Sequence, residues 1–432
     1  MTNWAKIFIA DSRKMIELED ESVHLIVTSP PYWHIKNYGT KVQIGYGQDL
    51  HGYLKDLFRV WKESYRVLKS GRRLVINIGD QFARSIIYGR YKVIPLHAEI
   101  ILQCEKIGFD YMGSIIWQKK TTMNTTGGAN VMGSYPYPPN GMVEIDYEFI
   151  LIFKKPGKSE KMQREAKEES KLTKEEWKEY FYGHWYFGGA KQVEHEAMFP
   201  EELPKRIIKM FSLKNEIVLD PFLGSGTTAK VALELNRNAV GYEINEDFIK
   251  IINQKIGSSN FLQKIKIMKR EKKIAIENVD YTPNIQNTEP QIDPDKFNFK
   301  NNRLYRVTKI LKDGKIELDT GLIVKFRGVE IKKIEKAKKY LKEYILKKQV
   351  YLKFDKNYVA SKEYVEAYVY LKNRIFINAY LIKSGIASAI KIGNYDMKKK
   401  FIELESEQTI SVPLGLNTNQ KSSFGVNEWS LR

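Results

Sequence analysis

Residues 28–33 read Thr-Ser-Pro-Pro-Tyr-Trp and directly follow the apolar run Val-His-Leu-Ile-Val at 23–27. The branched residues of that run predict a buried strand. The two prolines exclude a helix after it, because each fixes φ and lacks an N–H, and Pro30 disfavours helical backbone at Ser29. The chain should therefore leave the strand extended, with free carbonyl groups and an aromatic ring at its carboxyl end. Ligands bind at that edge of an open α/β sheet, although the stretch alone fits a plain proline turn equally well.

A second stretch, residues 218–228, reads Val-Leu-Asp-Pro-Phe-Leu-Gly-Ser-Gly-Thr-Thr. It predicts a strand, a glycine turn and the start of a helix, and glycines let a ligand approach the backbone closely. Glu243 ends the next predicted strand, where a doubly wound fold places an acid on a ribose hydroxyl. The turn lacks the third glycine of a dinucleotide dehydrogenase and the Gly-Lys-Ser/Thr of a phosphate-binding loop. Because no cation lies in the turn, a ligand with a ribose and no phosphate fits better, and S-adenosylmethionine is such a ligand.

Together the two stretches resemble the motifs of the amino-methylating DNA methyltransferases. Their order, with the proline motif first, resembles the β group of that family, whose α/β fold is a circularly permuted seven-stranded S-adenosylmethionine-dependent methyltransferase sheet. The resemblance covers roughly residues 5–255. The segment His-Glu-Ala-Met-Phe-Pro at 195–200 is similar to the family segment that supports the methionine end of the cofactor. Asp11, at the end of the first predicted strand, matches the adenine-side acid less specifically.

The resemblance implies transfer of a methyl group from S-adenosylmethionine to the exocyclic amine of a base flipped out of double-stranded DNA. Such an amine is a poor nucleophile and needs acceptors that stabilise its developing positive charge. Ser29 Oγ and the Pro30 carbonyl suit this task, and Tyr32 suits stacking on the flipped base. A serine before the prolines resembles the cytosine-N4 enzymes, whereas adenine-N6 enzymes more often carry Asp there. Cys104 has no preceding proline, which argues against methylation of a ring carbon.

The implied site contains catalytic and cofactor-binding residues and no metal ligands. The catalytic residues are Ser29, Pro30, Pro31 and Tyr32. The cofactor-binding residues are Asp11, Thr28, Phe199, Pro200, Asp220, Pro221, Phe222, Gly224, Ser225, Gly226, Thr227 and Glu243. Trp33 fits either the same pocket or simple packing. The setting implied is a restriction-modification system, in which a cognate restriction endonuclease is a candidate partner. Three alternatives stay open: an adenine-N6 enzyme, a DNA-binding protein with an inactive core, and a bifunctional methylase-nuclease.

Composition agrees with a nucleic-acid partner. The 432 residues carry a net charge of +19, and 43% of them are hydrophobic, enough for two or three domains. A lysine-rich surface of the kind found in thermophilic proteins is the plainer explanation of this charge. Such a surface carries enough acidic residues to balance the lysines, and this sequence does not. The single cysteine excludes a disulfide framework and fits a reducing cytoplasm. No apolar run approaches the ~18 residues of a membrane span, and no signal peptide is evident, so we expect a cytoplasmic protein. Its oligomeric state stays open, a dimer included.

With the resemblance over residues 5–255, we assign residues 1–260 to a methyltransferase domain. Composition and pattern divide the rest into a basic segment and linker (261–300), a unit of short strands that resembles a barrel (301–392) and a tail of weak pattern (393–432). Residues 118–147 and 154–195 are candidate target-recognition insertions, the second including a solvated Lys/Glu-rich helix over 154–180. Strand 216–220 is expected to lie beside strand 6–9, which would bring both motifs to one sheet edge. The remaining predicted elements are helices 50–69, 93–107, 200–213 and 226–236, and strands 73–78, 111–117, 147–153 and 238–242.

Residues 303–390 resemble the staphylococcal-nuclease-like fold, a small OB-type β-barrel. Arg327 matches a catalytic arginine of that family, and Glu330 stands where a metal-binding Asp belongs. Lys333 replaces the general-base Glu, Tyr364 replaces the second arginine, and no second Asp lies in place near 312–315. Because the general base and half of the phosphate clamp are missing, we expect a barrel that does not cleave nucleic acid. We expect it to bind nucleic acid, because residues 301–432 hold 27 Lys/Arg and only 14 Asp/Glu. A structural or oligomerising role is the alternative.

Overall fold

The computed structural model describes residues 3–33, 43–45, 48–83, 92–119, 139, 141, 143, 145–162, 164–189, 200–257, 265–271, 274–287, 304–355 and 364–410. The chain forms two compact units. Among the described residues, the first comprises residues 3–82 and 93–287, and the second comprises residues 83, 92 and 304–410. No helix among the described residues is both long and apolar enough to span a bilayer.

Up to residue 287 the described chain contains eleven strands and seven helices. The strands are β1 Ala5–Ile9, β2 Val23–Thr28, β3 Leu68–Ile78, β4 Gln81–Ala83, β5 Lys92–Ile94, β6 Asp110–Lys119, β7 Tyr147–Lys154, β8 His184–Phe187, β9 Ile217–Asp220, β10 Asn238–Glu243 and β11 Ile265–Lys269. The helices are α1 Leu50–Val67, α2 Leu96–Ile107, α3 Arg164–Glu169, α4 Lys174–Tyr180, α5 Glu202–Phe211, α6 Thr227–Glu234 and α7 Phe248–Gly257.

One mixed sheet of nine described strands organises the first unit, in the order β11-β1-β10-β9-β2-β3-β7-β6-β8. All neighbours from β11 to β3 are parallel, and β7 runs antiparallel to β3 and β6. The expectation that strand 216–220 lies beside strand 6–9 is wrong, because β10 lies between them. β10 is buried along almost its whole length. Its buried backbone N–H and C=O groups need hydrogen-bond partners, and a strand on either side supplies more of them than an edge position would. β9 instead has β2 as its other neighbour.

Helices cover both faces of this sheet. Leu25 and Val27 of β2 pack in one cluster with side chains of α5, α6 and α7. Ile26 points to the opposite face of the strand and is equally buried. On β3, α1 supplies the covering layer, and its Trp61 has no exposed surface. A sheet buried on both faces explains why its central strands read as continuous apolar runs.

Three local features differ from the sequence-based expectation. β3 begins at Leu68, directly after α1, so the predicted helix end near residue 69 is too late. The Lys/Glu-rich stretch 154–180 holds two short helices rather than one, and Thr173 starts the second with a capping box. The segment 261–300 contributes more than a linker, because β11 pairs with β1 and Tyr281 stacks on Phe58 of α1 with ring centroids 4.3 Å apart.

The second unit is built around a closed five-stranded barrel, β12-β13-β14-β17-β16. Its described strands are β12 Tyr305–Ile310, β13 Ile316–Leu318, β14 Ile323–Phe326, β15 Val329–Ile331, β16 Gln349–Lys353, β17 Val365–Leu371 and β18 Ala387–Ala389. Its described helices are α8 Ile334–Tyr344, α9 Ile377–Lys383 and α10 Lys398–Ile410.

The helices of the second unit complete its core. Asn378 of α9 is fully buried and ties the barrel together, because its amide donates to the Arg327 and Ala367 carbonyls and accepts from Val369 N. The prediction of a tail of weak pattern over 393–432 is wrong for residues 398–410. These residues form α10, and Phe401 of this helix is buried in the same core. α10 contains few apolar residues at helical spacing, so the sequence pattern does not predict this helix.

Candidate active site

The two sequence motifs meet where β2 and β9 end side by side. The strands pair in parallel, so both present their carboxyl ends at one edge of the sheet. There the Thr28 hydroxyl donates a 2.6 Å hydrogen bond to Oδ1 of Asp220. The prediction that the proline motif and the glycine turn share one crevice is therefore confirmed, although the strand order that achieves it differs from the predicted one.

Asp220 joins three parts of this site. Its side chain is buried, and Oδ1 accepts hydrogen bonds from the Thr28 hydroxyl and from Phe222 N at 3.0 Å. Oδ2 accepts a 2.6 Å bond from the Thr228 hydroxyl at the start of α6. Burial raises the pKa of Asp220 to about 6, while these three hydrogen bonds act in the opposite direction. The carboxylate thus links the proline motif, the turn and the helix start.

The glycine turn adopts a backbone that favours glycine. Gly224 has φ +54° and Gly226 has φ +88°. A Cβ at Gly224 would have only the Phe222 carbonyl within 4.0 Å, so the outer side of the turn is open to a ligand. Glu243, at the end of β10, accepts a 2.9 Å hydrogen bond from Gly224 N and a 2.8 Å bond from Asn245 N. Burial raises the pKa of Glu243 to about 7, against the effect of these backbone N–H groups.

A pocket between the two motifs collects most of the predicted site residues. Those that line it are Asp11, Ser29, Pro30, Pro31, Tyr32, Pro221, Phe222, Gly224, Ser225, Thr227 and Glu243. The unpredicted lining residues are Ala10, Ser12, Gln43, Ile44, Leu223, Tyr242, Ile244 and Phe248. Thr28, Asp220 and Gly226 support the pocket without lining it, and Pro200 lies before α5, also outside the lining. Phe199 lies outside the described residues.

The proline motif is held by hydrogen bonds to neighbouring elements. Tyr53 of α1 donates a 2.9 Å hydrogen bond to the Pro31 carbonyl. The Tyr32 hydroxyl donates a 2.6 Å bond to Oε1 of Glu148 on β7. Trp33 is buried and its indole N–H donates to the Gln48 carbonyl at 2.9 Å, so it packs behind the motif rather than lining the pocket.

The acid at the first strand, Asp11, is already engaged with a cation. Arg13 donates to both carboxylate oxygens, at 3.1 Å and 3.0 Å from Nε and 2.6 Å from Nη2. The same guanidinium donates from Nη1 to Asp56 of α1 at 2.7 Å. Asp11 lines the pocket, so this clamp fixes the direction of its remaining lone pairs.

Comparison with known proteins agrees with this geometry. The family model for DNA methylases of the N6/N4 type matches residues 23–254, more than half of the chain. The chain belongs to the DNA methylase family. The Type II methyltransferase M.MjaI of Methanocaldococcus jannaschii is 40% identical over 285 residues, which cover 58% of this chain and 91% of the relative. M.MthZI of Methanothermobacter thermautotrophicus is 33% identical over 290 residues, covering 61% and 80%.

A solved structure is similar to the methylase part of this chain. A protein of Thermus thermophilus, assigned as a DNA modification methylase and crystallised with S-adenosyl-L-methionine, is 33% identical with a TM-score of 0.50. The match covers 62% of this chain and all of that chain. The family model for staphylococcal nuclease homologues matches residues 317–409, so the second unit of this methylase carries a staphylococcal-nuclease-like domain.

Lys255 contacts two lining residues of the candidate site, and the sequence motifs did not indicate it. From α7 its ammonium donates to Ser225 Oγ at 2.7 Å and to Thr227 Oγ1 at 2.8 Å. Burial lowers the pKa of Lys255. The turn itself contains no cation, as its sequence shows, but this ammonium reaches two of its hydroxyl groups from outside. The cation comes from a helix 28 and 30 residues away along the chain, and the spacing within the turn carries no signal of it.

In the nuclease-like domain, the arginine that matches the family's catalytic arginine is paired with acidic residues of the same domain. Arg327 donates from Nε to Asp355 and from Nη1 to Glu366, each at 2.6 Å, and from Nη2 to the Asn394 carbonyl at 3.1 Å. Glu330 forms an ion pair with Lys332. Among the described residues no cluster of three His, Cys, Asp or Glu side chains is arranged to hold a metal ion.

Proposed function

We propose that this DNA methylase transfers the methyl group of S-adenosylmethionine to the exocyclic amine of a flipped base in double-stranded DNA, with cytosine N4 as the target. The observation that carries this proposal is the 2.6 Å hydrogen bond from Thr28 to Asp220, which joins the chain carrying Ser29 and Pro30 to the turn carrying Gly224. Methyl transfer needs donor and acceptor held in line at close range, and two motifs joined by one carboxylate meet that need.

The cofactor site is proposed from the chemistry of the lining residues. Glu243 is suited to accept hydrogen bonds from the ribose hydroxyls, since its carboxylate lines the pocket with lone pairs beyond those used by the two backbone N–H groups. Ser225 and Thr227 at the start of α6, next to the Lys255 ammonium, suit the carboxylate of the methionine end. Asp11 is assigned to the adenine amine. S-adenosylmethionine supplies an electrophilic methyl group on a sulfonium.

The substrate side of the pocket is proposed to act through two acceptors. Ser29 Oγ and the Pro30 carbonyl accept hydrogen bonds from the amine, which favours a pyramidal nitrogen and stabilises its developing charge. The nitrogen lone pair forms the new N–C bond while the C–S bond of the sulfonium breaks, and the surplus proton of the amine leaves to water. Tyr32 is assigned to stacking on the flipped base, with its ring position fixed by the bond to Glu148.

Cytosine N4 is preferred to adenine N6 because Ser29 occupies the position where the adenine-N6 enzymes more often carry Asp. A serine hydroxyl is a weaker acceptor than a carboxylate. Because a hydroxyl and a carbonyl can also accept from an adenine amine, adenine N6 is the second candidate target. The modified nucleoside itself distinguishes the two bases.

We further propose that the inner seven strands, β1-β10-β9-β2-β3-β7-β6, correspond to the permuted methyltransferase sheet, with β11 and β8 added at its edges. The domain boundaries near residues 260 and 300 are proposed on the same basis. A role in a restriction-modification system, with a cognate endonuclease as partner in the cytoplasm, follows the names of the Type II relatives.

The test is incubation of the purified full chain with methyl-labelled S-adenosylmethionine and duplex DNA, followed by mass spectrometry of the nucleosides. N4-methylcytosine supports the proposal, and N6-methyladenine would move the assignment to the second base. Ser29→Ala and Pro30→Ala should each reduce transfer, with Ser29→Ala costing on the order of 100-fold as for a lost charge-stabilising contact. Both variants should bind the cofactor normally. DNA binding without any transfer would leave only the inactive-core alternative.

A further inference from the structure

The second unit carries an unbalanced positive surface on α8 and the turn after it. Residues 332–348 contain eight lysines and two glutamates, a net charge of +6 in 17 residues. Another charge-rich stretch of the same length, residues 164–180, contains five basic and six acidic residues and takes part in ion pairs such as Lys209 to Glu176. A charged helix that is merely solvated is normally balanced in this second way.

The lysines on the outer face of α8 are exposed and largely unneutralised. Lys336, Lys339 and Lys342 follow one another at three-residue intervals, within about 120° of the helix circumference. The described residues place no carboxylate within ion-pair distance of these three ammonium groups, whereas Lys338 pairs with Glu335 at 2.7 Å. Such a row of cations concentrates positive potential on one side of the helix.

Three tyrosines accompany this row of lysines. Tyr340 of α8 stacks on Tyr380 of α9, with ring centroids 4.4 Å apart and planes 13° from parallel. Tyr344 continues the cluster at 5.1 Å from Tyr340. Tyr344 is 50% exposed and Tyr380 is 43% exposed, so large aromatic surface faces solvent on the same helix pair. Lysine and tyrosine side chains are both common partners of DNA phosphates and sugars.

The position of the family's nuclease site offers no comparable surface among the described residues. Arg327 donates to two carboxylates, Asp355 and Glu366, and Lys325 pairs with Glu366 at 2.8 Å. A phosphate arriving there would have to displace these acids, and their negative charge would oppose it. On α8 the outer face also holds Glu335 and Glu343, but the eight lysines of residues 332–348 outnumber these two carboxylates, so the net charge there stays positive.

We propose that the row Lys336, Lys339 and Lys342, together with the tyrosine cluster on the flank of α8 next to Lys336, binds the backbone of duplex DNA without sequence preference. It would hold the DNA that the methylase acts on, and its contacts are electrostatic, so they raise affinity rather than select a site. The proposal concerns binding alone. It is tested without cofactor, so a failure of methyl transfer would leave this test unaffected.

The experiment measures binding of the full chain to a random-sequence duplex at several salt concentrations. Two triple variants carry the same change of charge: Lys336→Gln, Lys339→Gln, Lys342→Gln on α8, and the control Lys391→Gln, Lys399→Gln, Lys400→Gln near and on α10. All six lysines are exposed, so neither triple variant should unfold the protein.

The α8 variant should lower the slope of log affinity against log salt by about 2.7, if each lysine neutralises one phosphate. At physiological salt this corresponds to an affinity loss on the order of 100-fold. Tyr344→Ala should weaken binding with little change of slope. An unchanged slope in the α8 variant, or an equal change in the control, would overturn the proposal. Preferential displacement of the duplex by an RNA of equal length would overturn the assignment to DNA.

Discussion

The bond between Thr28 and Asp220 permits a matched test of how the two motifs are coupled. Thr28→Val removes the hydroxyl that donates to Oδ1 of Asp220 and keeps the size of the side chain. Thr228→Val removes the hydroxyl that donates to Oδ2 of the same carboxylate, also at 2.6 Å. All three side chains are buried. Hydrogen bonds to charged groups contribute about 1.5–3 kcal/mol, so both variants should lose a similar amount of unfolding free energy.

The two variants should differ in catalysis. Thr28 immediately precedes Ser29, and losing its bond frees the end of β2 to shift relative to the glycine turn. A displacement of about 1 Å at the reacting groups costs on the order of 100-fold in rate. Thr228 lies on α6, beyond the turn, and its loss should affect cofactor affinity more than kcat. The assays are denaturant unfolding and single-turnover methyl transfer at saturating cofactor and DNA. An equal fall of kcat in both variants, or no fall in Thr28→Val, would refute a coupling role for this bond.

Four further predictions concern the support of the site and the second unit. Cofactor affinity should fall as pH is lowered from about 8 to 6, because protonated Glu243 cannot accept from both ribose hydroxyls. With its pKa at about 7, the dissociation constant at pH 6 should be about 10-fold above its value at high pH, and Glu243→Gln should abolish this dependence in calorimetric titrations. Lys255→Met should raise KM for S-adenosylmethionine more than it lowers kcat, whereas an unchanged KM would exclude an electrostatic role at the turn. Tyr53→Phe should destabilise the fold by about 1 kcal/mol in urea denaturation and lower kcat, because the Pro31 carbonyl loses its donor. Plasmid incubated with the protein and a divalent metal should stay intact, since Arg327 is engaged by two carboxylates; metal-dependent nicking that Arg327→Ala removes would contradict this.

The local motifs predicted more of the site than of the sheet. The proline and glycine stretches are recognisable because their backbone requirements are written in adjacent residues, and eleven of the predicted residues line one pocket. Strand order depends on which distant strands pair, and no local pattern states that β10 lies between β1 and β9. The shared sheet edge is predictable nonetheless, because the carboxyl ends of parallel strands meet whatever their order.

The residues that support the site were not predicted, because their contacts depend on the fold rather than on a local sequence pattern. Glu148 is 116 residues from Tyr32, on a strand of the sheet that runs antiparallel to β3. Lys255 is one lysine among many, and only the packing of α7 brings its ammonium to Ser225. Asp11 was predicted as a ligand-facing acid, but its clamp by Arg13 depends on a local turn in which Arg13 N also donates to the carboxylate at 2.9 Å.

The most direct test of the shared crevice is a crystal structure of the protein with S-adenosylmethionine bound. We predict density for the cofactor across the Gly224 turn, with its ribose at Glu243 and its methyl group facing Ser29 and Pro30. Cofactor bound away from this turn, or bound there with the methyl group directed away from Pro30, would contradict the account.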